Sequence, residues 1–174
     1  MTGIAEPTRD RVRVVHVRLA TVRDVPHIAR LEAELFPDAW SPAGLVPHTF
    51  RGNRRAGRAA WVAEPVRGAG EAVISSTVPA GYLLLSWVLD EGTVERIGVA
   101  PEHRRRGIGR ALLERGIGAL RERGVRQVWL EVGASNEAAI RLYEEAGFAP
   151  VSRRIRYYVG PPPDDAVVMR KLIA

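Results

Sequence analysis

The chain has 174 residues, with 26 Lys+Arg, 20 Asp+Glu and no cysteine, so its formal net charge is +6. This length suits one domain, and the lack of cysteine excludes disulfides, thiolate zinc sites and cysteine nucleophiles. No apolar stretch reaches the ~18 residues of a membrane span, and residues 1–10 lack the apolar core of a signal peptide, so we expect a cytoplasmic protein with no membrane partner.

The excess positive charge lies in one segment. Residues 1–95 contain 11 arginines and 11 acidic residues, whereas residues 103–126 contain eight arginines and two glutamates. The remaining residues are balanced. A basic segment of this kind binds a phosphate-rich cofactor or a nucleic acid, or it only improves solubility. The local sequence must distinguish these uses.

The N-terminal half is predicted to contain three strands, a helix and a short second helix that follows a break at residues 36–42. We expect residues 1–10 to be flexible and residues 11–174 to form a single domain. Residue periodicity predicts strands over 12–19, 59–65 and 81–89. A helix is predicted from Asp24 as its N-cap, with an apolar stripe at Val25, Ile28, Leu31 and Leu35. Loops are predicted over 51–58 and over 66–80, the second long and mobile.

The C-terminal half has clearer boundaries between its predicted elements. The pattern predicts strands over 93–99, 127–132, 148–159 and 166–173, and an arginine-rich turn over 101–107. A helix is predicted over 108–123 and closed by Gly124; a second runs from a cap at Asn136 through Ala146 and ends at Gly147. The order of elements indicates one α/β domain with a mixed sheet and helices on its faces.

The turn between strand 93–99 and helix 108–123 is predicted to bind phosphates. Gly107 and Gly109 allow close backbone approach, and the amides at a helix N-terminus favour anions. Charge-assisted donors are supplied by Arg104, Arg105, Arg106 and Arg110. A P-loop is excluded because the only lysine is Lys171, and a dinucleotide fingerprint is excluded because residue 112 is leucine. The alternative is a solvated arginine-rich turn.

Other chemistries find little support. The histidines, His16, His27, His48 and His103, are scattered without metal-ligand spacing, so we expect no metal. There is no GxSxG elbow for a serine nucleophile. Only three phenylalanines are present and few aromatic residues are clustered, which disfavours a stacking platform for nucleic acid.

The segment Val94–Leu113, VERIGVAPEHRRRGIGRALL, resembles the acetyl-CoA signature of the GNAT N-acetyltransferases. Three downstream segments continue the resemblance: VWLEV at 128–132, ASNEAAI at 134–140 and LYEEAGF at 142–148. They are most similar to the RimI branch, which acetylates the N-terminal alanine of a ribosomal protein. The resemblance covers roughly residues 12–173 and is strongest over 93–148. Three departures lie on the acceptor side: the 66–80 loop, the spacing of Pro37 and Trp40, and the Pro161–Pro163 run.

The resemblance implies the GNAT fold, a mixed and splayed β-sheet of about seven strands flanked by about four helices. It also implies acetyl-CoA as co-substrate. The cofactor-binding residues that it implies are Ile97, Gly98, Val99, Arg104, Arg105, Arg106, Gly107, Ile108, Gly109, Arg110 and Asn136. Ile97 and Val99 would offer backbone groups to the pantetheine arm, and Asn136 would contact it or a loop beside it.

The resemblance further implies that Glu131 is the general base and that Tyr143 is the acid toward the CoA sulfur. Alternatives remain for both residues: Glu131 in a structural ion pair, and Tyr143 in the core. Glu95 on the preceding strand is a rival base and ranks below Glu131. Four residues either shape the acceptor pocket or only lie at a sheet edge without a role in binding: Arg153, Arg154, Tyr157 and Tyr158.

The sequence therefore favours acetyl transfer to a primary amine, foremost the N-terminal alanine of a ribosomal protein. Within enzymes, the alternative acceptor is a small amine such as a polyamine or an aminoglycoside. Outside enzymes, the same fold would serve as a module that senses CoA or binds nucleic acid.

Overall fold

A computed structural model describes residues 15–49, 52–65 and 78–173. The expectations for residues 1–10 and 12–14 and for most of the 66–80 loop therefore lie outside the described residues. Across the described part, the elements follow the predicted order.

Seven strands and four α-helices make up the fold. The strands are β1 (Val15–Leu19), β2 (Ala56–Pro65), β3 (Gly81–Val88), β4 (Glu91–Val99), β5 (Gln127–Gly133), β6 (Ala149–Tyr158) and β7 (Asp164–Leu172). The helices are α1 (Val25–Leu35), α2 (Pro42–Leu45), α3 (Ile108–Glu122) and α4 (Glu137–Glu145). Short 3₁₀ turns occur at Val22–Asp24, Val46–Thr49 and Pro101–His103.

All seven strands form one sheet in the order β1-β2-β3-β4-β5-β7-β6. The β4–β5 pair is parallel, and the other neighbouring strands are antiparallel. A parallel pair needs a crossover, and α3 supplies it between β4 and β5. The sheet is therefore mixed, as the sequence predicted.

The core lies on both faces of the sheet. On one face, α3 packs its apolar stripe against β2 and β3 and against alternate residues of β5: Leu112, Leu113, Ile117 and Leu120 from the helix, and Val128, Leu130 and Val132 from the strand. On the other face, α1 and α2 cover Ala60, Val62, Tyr82 and Leu84. Because side chains alternate along a strand, Trp129 and Glu131 of β5 point away from α3.

Some boundaries differ from the prediction. β2 begins at Ala56 because Ala56–Arg58 pair with β3, so the predicted 51–58 loop is too long. β7 begins at Asp164 because Asp164 pairs with Tyr158 and its carboxylate accepts from the Ser135 amide and hydroxyl. Asp24 precedes α1, but its carboxylate binds Arg18 and the Thr21 amide and does not cap α1.

Among the described residues, no helix has both the length and the apolar character needed to cross a membrane.

Candidate active site

The β4–β5 ladder stops halfway along the two strands. Pairing runs from Glu91 with Gln127 to Val94 with Leu130 and then ends. Beyond it, β4 continues to Val99 against β3, and β5 continues to Gly133 against β7. The two strands therefore diverge, and Ile97 and Val99 lie on the stretch of β4 whose β5 side has no strand partner. This splay is the opening predicted for the pantetheine arm.

A β-bulge marks the start of the splay. Leu85 pairs with Val94 and Leu84 pairs with Arg96, so Glu95 is the extra residue. The bulge places two consecutive side chains on the α1 face: Glu95 contacts His48, and Arg96 contacts Asp38. The sequence contains a trace of this bulge, since the residues that pack toward α3 are Val94, Ile97 and Val99, which breaks the two-residue period.

The arginine-rich turn leads directly into α3. Gly107 is the N-cap of α3, and no side chain of the described residues caps its first turn. By contrast, Ser41 caps α2 and Asn136 caps α4. The first intrahelical bond runs from the Ala111 amide to the Gly107 carbonyl at 3.0 Å, so the amides of the first turn precede the helical ladder.

The arginines around this turn are exposed: Arg104, Arg105, Arg106 and Arg110. Arg104 Nε donates to the Val99 carbonyl at 3.2 Å, and Arg110 pairs with Glu114 at 2.8 Å. Within the described part of the chain, Arg105 and Arg106 have neither a hydrogen bond nor an ion pair. Uncapped amides beside unpaired guanidinium groups fit an anionic ligand such as a pyrophosphate.

The two glycines of the turn have different structural reasons. Gly107 has a φ of 78°, the left-handed region, and a Cβ there would meet no atom within 4 Å. Gly109 lies against α4, where a Cβ would stand 3.0 Å from Leu142 Cδ2. Gly107 therefore makes the turn, and Gly109 allows α3 and α4 to pack closely.

Asn136 stands at the other helix N-terminus beside the splay. Its side-chain oxygen accepts from the Ala139 amide at 3.2 Å, which makes it the N-cap of α4, as predicted. Its implied contact with the pantetheine remains a prediction. The cap uses only the amide oxygen, so the nitrogen stays available to a ligand.

Glu131 lies on β5 just past the last residue that pairs with β4. Its carboxylate accepts a hydrogen bond from Arg154 Nη1 of β6 at 2.5 Å. The Glu131 side chain is 32% exposed and that of Arg154 is 52% exposed. Glu131 is thus accessible, and its charge is balanced by one neighbouring cation.

Tyr143 occupies the buried face of α4. Its ring meets Phe148 edge to face, with centroids 5.9 Å apart. Burial raises the pKa of Tyr143, and the nearby Tyr158 adds to the rise. Its hydroxyl has no hydrogen-bond partner among the described residues. The phenol therefore keeps its proton at neutral pH and retains a donor for a ligand.

Tyr158 of β6 lies near both candidate catalytic residues. Burial raises the pKa of its hydroxyl first, followed by the charges of Glu131 and Tyr157. Two charges on the α1 side also change the pKa of Tyr158: Arg96 lowers it and Asp38 raises it. Tyr158 lies beside the end of β5, because a Cβ on Gly133 would stand 3.8 Å from its Cε2.

The four β6 residues whose role the sequence left undecided do not all face the site. Arg153 pairs with Val167 and Arg154 with Ala166, so consecutive side chains point to opposite faces. Arg153 forms an ion pair with Asp165 at 2.7 Å, whereas Arg154 reaches Glu131. Tyr157 and Tyr158 pack edge to face with centroids 5.1 Å apart. Arg154, Tyr157 and Tyr158 adjoin the site, and Arg153 does not.

Glu95, the rival base, is held by other side chains. Its carboxylate binds His48 Nε2, whose side chain is fully buried, and lies 3.9 Å from Arg58. Burial alone would raise the pKa of Glu95, but the hydrogen bonds from His48 and Ser86 outweigh it, so the net pKa is lowered. Glu95 thus joins the bulge to the turn that follows α2.

A second buried network, which the sequence analysis missed, supports the α1 side of the splay. Glu32 is completely buried, where its carboxylate accepts from the Tyr82 hydroxyl and, at 3.0 Å, from the Trp40 amide. Arg96 lies 3.7 Å from Glu32, pairs with Asp38 at 3.1 Å and stacks over Phe36. Trp40 is therefore an anchor of the segment after α1. A glutamate on the apolar stripe of α1 was the available signal.

Among the described residues, no group of three or more His, Asp or Glu side chains is arranged to hold a metal ion.

A family model described as "Acetyltransferase (GNAT) family" matches residues 25–148. The chain belongs to the GNAT acetyltransferase family. The predicted family and fold are thereby confirmed.

Named acetyltransferases are similar to part of this chain. The "[Ribosomal protein bS18]-alanine N-acetyltransferase" of Escherichia coli K12 is 48% identical over 93 residues, covering 52% of this chain and 62% of the relative. The chain thus spans less than two thirds of that relative in the match. A "Mycothiol acetyltransferase" of Nocardiopsis dassonvillei is 47% identical over 75 residues, covering 43% of this chain and 22% of the relative.

A solved GNAT structure extends the similarity over nearly the whole chain. The ribosomal-protein-S18-alanine N-acetyltransferase from Escherichia coli superposes with a TM-score of 0.76 and 31% identity. The match covers 92% of this chain and 95% of that structure.

Proposed function

We propose that the chain transfers the acetyl group of acetyl-CoA to the α-amine of a protein N-terminus, with alanine as the first residue. The observation that carries this proposal is the splay of β4 from β5. It leaves Glu131 on one side, the open edge of Ile97–Val99 on the other, and the arginine-rich turn at the end of β4. The similarity to alanine N-acetyltransferases supports the choice of acceptor.

The cofactor residues have distinct parts in this proposal. The guanidinium groups of Arg104, Arg105, Arg106 and Arg110, with the amides of Ile108 and Gly109, hold the CoA phosphates. The backbone of Ile97, Gly98 and Val99 pairs with the pantetheine arm as a further strand would. Gly98 also has a packing role, because a Cβ there would stand 2.6 Å from the Tyr82 ring.

In the proposed reaction, Glu131 accepts a proton from the acceptor ammonium, directly or through water. An α-amino group has a pKa of about 7.7–8.0, so it must lose a proton before it attacks. The amine nitrogen forms a bond to the acetyl carbon, the carbon–sulfur bond breaks, and Tyr143 donates its hydrogen to the leaving sulfur. The tyrosinate then takes up the second proton, which the nitrogen releases as the amide forms. The balance is one ammonium and one thioester consumed, with one amide, one thiol and one proton released.

Glu131 is favoured over Glu95 as the base because of what holds each carboxylate. Glu95 is bound by a fully buried histidine and ties the bulge to its neighbours. Glu131 has a single exposed partner and faces the side of the sheet that α1 and α2 leave open. A base must reach both solvent and substrate, and the position of Glu131 meets this requirement better.

The test is acetyl-CoA turnover, followed by thiol release, on short peptides beginning with alanine. We expect Glu131→Gln and Tyr143→Phe each to lower kcat about 100-fold, the usual contribution of a general acid or base. Glu137→Gln, at an exposed carboxylate on α4, is the control and should match the parent. Near-parental rates in both variants would sink the catalytic assignment.

The choice of acceptor needs a separate comparison. Peptides beginning with alanine should be acetylated faster than peptides beginning with methionine and faster than free polyamines or aminoglycosides. N-terminal peptides from cells with and without the gene, compared by mass spectrometry, should then identify the acceptor protein. Small amines that outcompete every peptide would replace the protein acceptor. Salt-dependent nucleic-acid binding without acetyl transfer would show that the protein is a nucleic-acid-binding module and not an enzyme.

A further inference from the structure

The carboxylate of Glu131 is occupied by a side chain of the protein itself. Arg154 Nη1 donates to Glu131 Oε1 at 2.5 Å, and both residues are partly exposed at the mouth of the splay. A guanidinium group stays charged throughout the accessible pH range, so Arg154 cannot act as a proton acceptor. An ionised carboxylate only accepts hydrogen bonds, and Arg154 already donates to Oε1, an oxygen atom to which a substrate ammonium would also donate.

Arg154 has a second contact that does not involve Glu131. Its guanidinium carbon lies 4.2 Å from the centroid of the Tyr157 ring, a stacked cation–π arrangement. The local strand geometry holds these two residues together. Regular pairing with β7 is interrupted between Arg154 and Tyr158, Arg156 has a φ of 53°, and the Arg156 amide donates to Asp165 at 2.7 Å.

We propose that Arg154 occupies the position of the acceptor ammonium in the free protein, so that an amine binds Glu131 Oε1 only by displacing it. This inference rests on the proposed role of Glu131 as the residue that receives the amine. The displaced guanidinium keeps its stacking contact with Tyr157, so the exchange breaks one ion pair and forms another. Arg154 is thus a positioning residue that sets the apparent affinity for the acceptor.

The exchange predicts a separation of KM from kcat. In Arg154→Gln the competing cation is gone, and the acceptor KM should fall about threefold, as expected for an exposed ion pair. The kcat should change less than twofold, because Arg154 has left Glu131 when the reaction occurs. Arg154→Lys keeps a competing cation and should retain the parental KM within about twofold. Added ethylguanidinium should inhibit Arg154→Gln competitively against the acceptor and affect the parent much less.

Arg153→Gln is the matched control. It removes the same charge from the adjacent position of β6, where the arginine pairs with Asp165 on the opposite face. Its acceptor KM and its response to ethylguanidinium should equal those of the parent. A raised KM in Arg154→Gln, or the same fall in Arg154→Gln and Arg154→Lys, would overturn the inference and leave Arg154 a structural role.

A binding measurement separates this inference from the proposed reaction. In nuclear magnetic resonance spectra, ethylguanidinium should shift the side-chain carboxyl signal of Glu131 in Arg154→Gln and not in the parent. This result needs no acetyl transfer, so it holds even where Glu131→Gln proves fully active and the proposed base is wrong. Equal shifts in both proteins, or none in either, would show that Arg154 does not occupy a cation site.

Discussion

Arginines are concentrated at both ends of α3, and their surroundings differ. At the N-terminal end, Arg105 and Arg106 are exposed and have no protein partner among the described residues. At the C-terminal end, Arg123 donates to the Ala119 carbonyl at 2.7 Å and stacks over Trp87, and Arg121 donates to the Ile173 carbonyl at 2.9 Å. Arg54, from another part of the chain, donates to the Glu122 carbonyl at 3.2 Å.

The difference follows from the helix itself. The last carbonyl groups of an α-helix lack intrahelical partners and carry partial negative charge, so nearby guanidinium groups satisfy them. The first amide groups carry partial positive charge and offer no acceptor to a guanidinium group, so Arg105 and Arg106 beside them stay unpaired among the described residues and can bind an added anion. The same residue type therefore stabilises the fold at one end and stays unpaired at the other, where we propose that it binds the CoA phosphates. Net charge alone cannot separate the two uses.

The largest expected effect comes from removing the two unpaired arginines of the turn. In Arg105→Gln/Arg106→Gln, the KM for acetyl-CoA should rise about 100-fold, because each charge-assisted bond to a phosphate contributes about 1.4 kcal/mol. The melting temperature should stay within about 1 °C, since neither side chain bonds to the protein. Steady-state kinetics at several salt concentrations and calorimetric melting measure both quantities.

Arg115→Gln/Arg126→Gln is the charge-matched control for this prediction. Both arginines are exposed, one on α3 and the other just after it, and neither side chain has a partner among the described residues. The KM and the melting temperature should both remain parental. If this control raised the KM as much as the turn variant does, net charge would account for cofactor affinity and the comparison between the helix ends would fail.

The next largest effect concerns the two glycines that flank α3. Gly107 has a φ of 78° and Gly124 a φ of 88°, and a Cβ at either would meet no atom within 4 Å. Alanine at either position should therefore lower the free energy of unfolding by about 1 kcal/mol through backbone strain alone, roughly 3 °C in melting temperature. Only Gly107→Ala should also raise the KM for acetyl-CoA, about tenfold, because only that turn is proposed to hold the phosphates.

The two alanine variants serve as controls for each other. Equal losses of stability with unequal KM values would localise cofactor binding to the N-terminal end of α3. A raised KM in Gly124→Ala would instead mean that any distortion of α3 disturbs the site. Cofactor binding could then not be assigned to the arginine-rich turn.

The sequence predicted phosphate binding at the N-terminal end of α3 because all the signals for it are local. A strand, an arginine-rich turn and two glycines opening an apolar-striped helix occupy consecutive positions, and the family motif lies on the same residues. The family, the fold and the order of the elements are confirmed. The roles of individual site residues remain predictions, since the comparisons do not test them.

The features that the sequence did not reveal depend on contacts between distant residues. Arg154 meets Glu131 from 23 positions away, and Glu32 meets Tyr82 from 50 positions away, so no local pattern shows either contact. The bulge at Glu95 interrupts the two-residue apolar period of β4 in the sequence. One strand alone, however, does not show to which face of the sheet the extra residue points. The splay itself was implied by the family resemblance, but the residues at which the β4–β5 pairing ends are defined only by the folded sheet.

The smallest expected effect tests the C-terminal end of α3. Arg123→Gln removes a hydrogen bond to the Ala119 carbonyl and a cation–π contact with Trp87, whose ring centroid lies 4.8 Å away. The free energy of unfolding should fall by about 1 kcal/mol, because Arg123 is only partly exposed and both contacts are lost. Chemical denaturation should detect this loss, while the KM for acetyl-CoA stays parental. Arg115→Gln, without such contacts, should keep the parental stability; if it lost as much, capping of α3 would not explain why arginines are concentrated there.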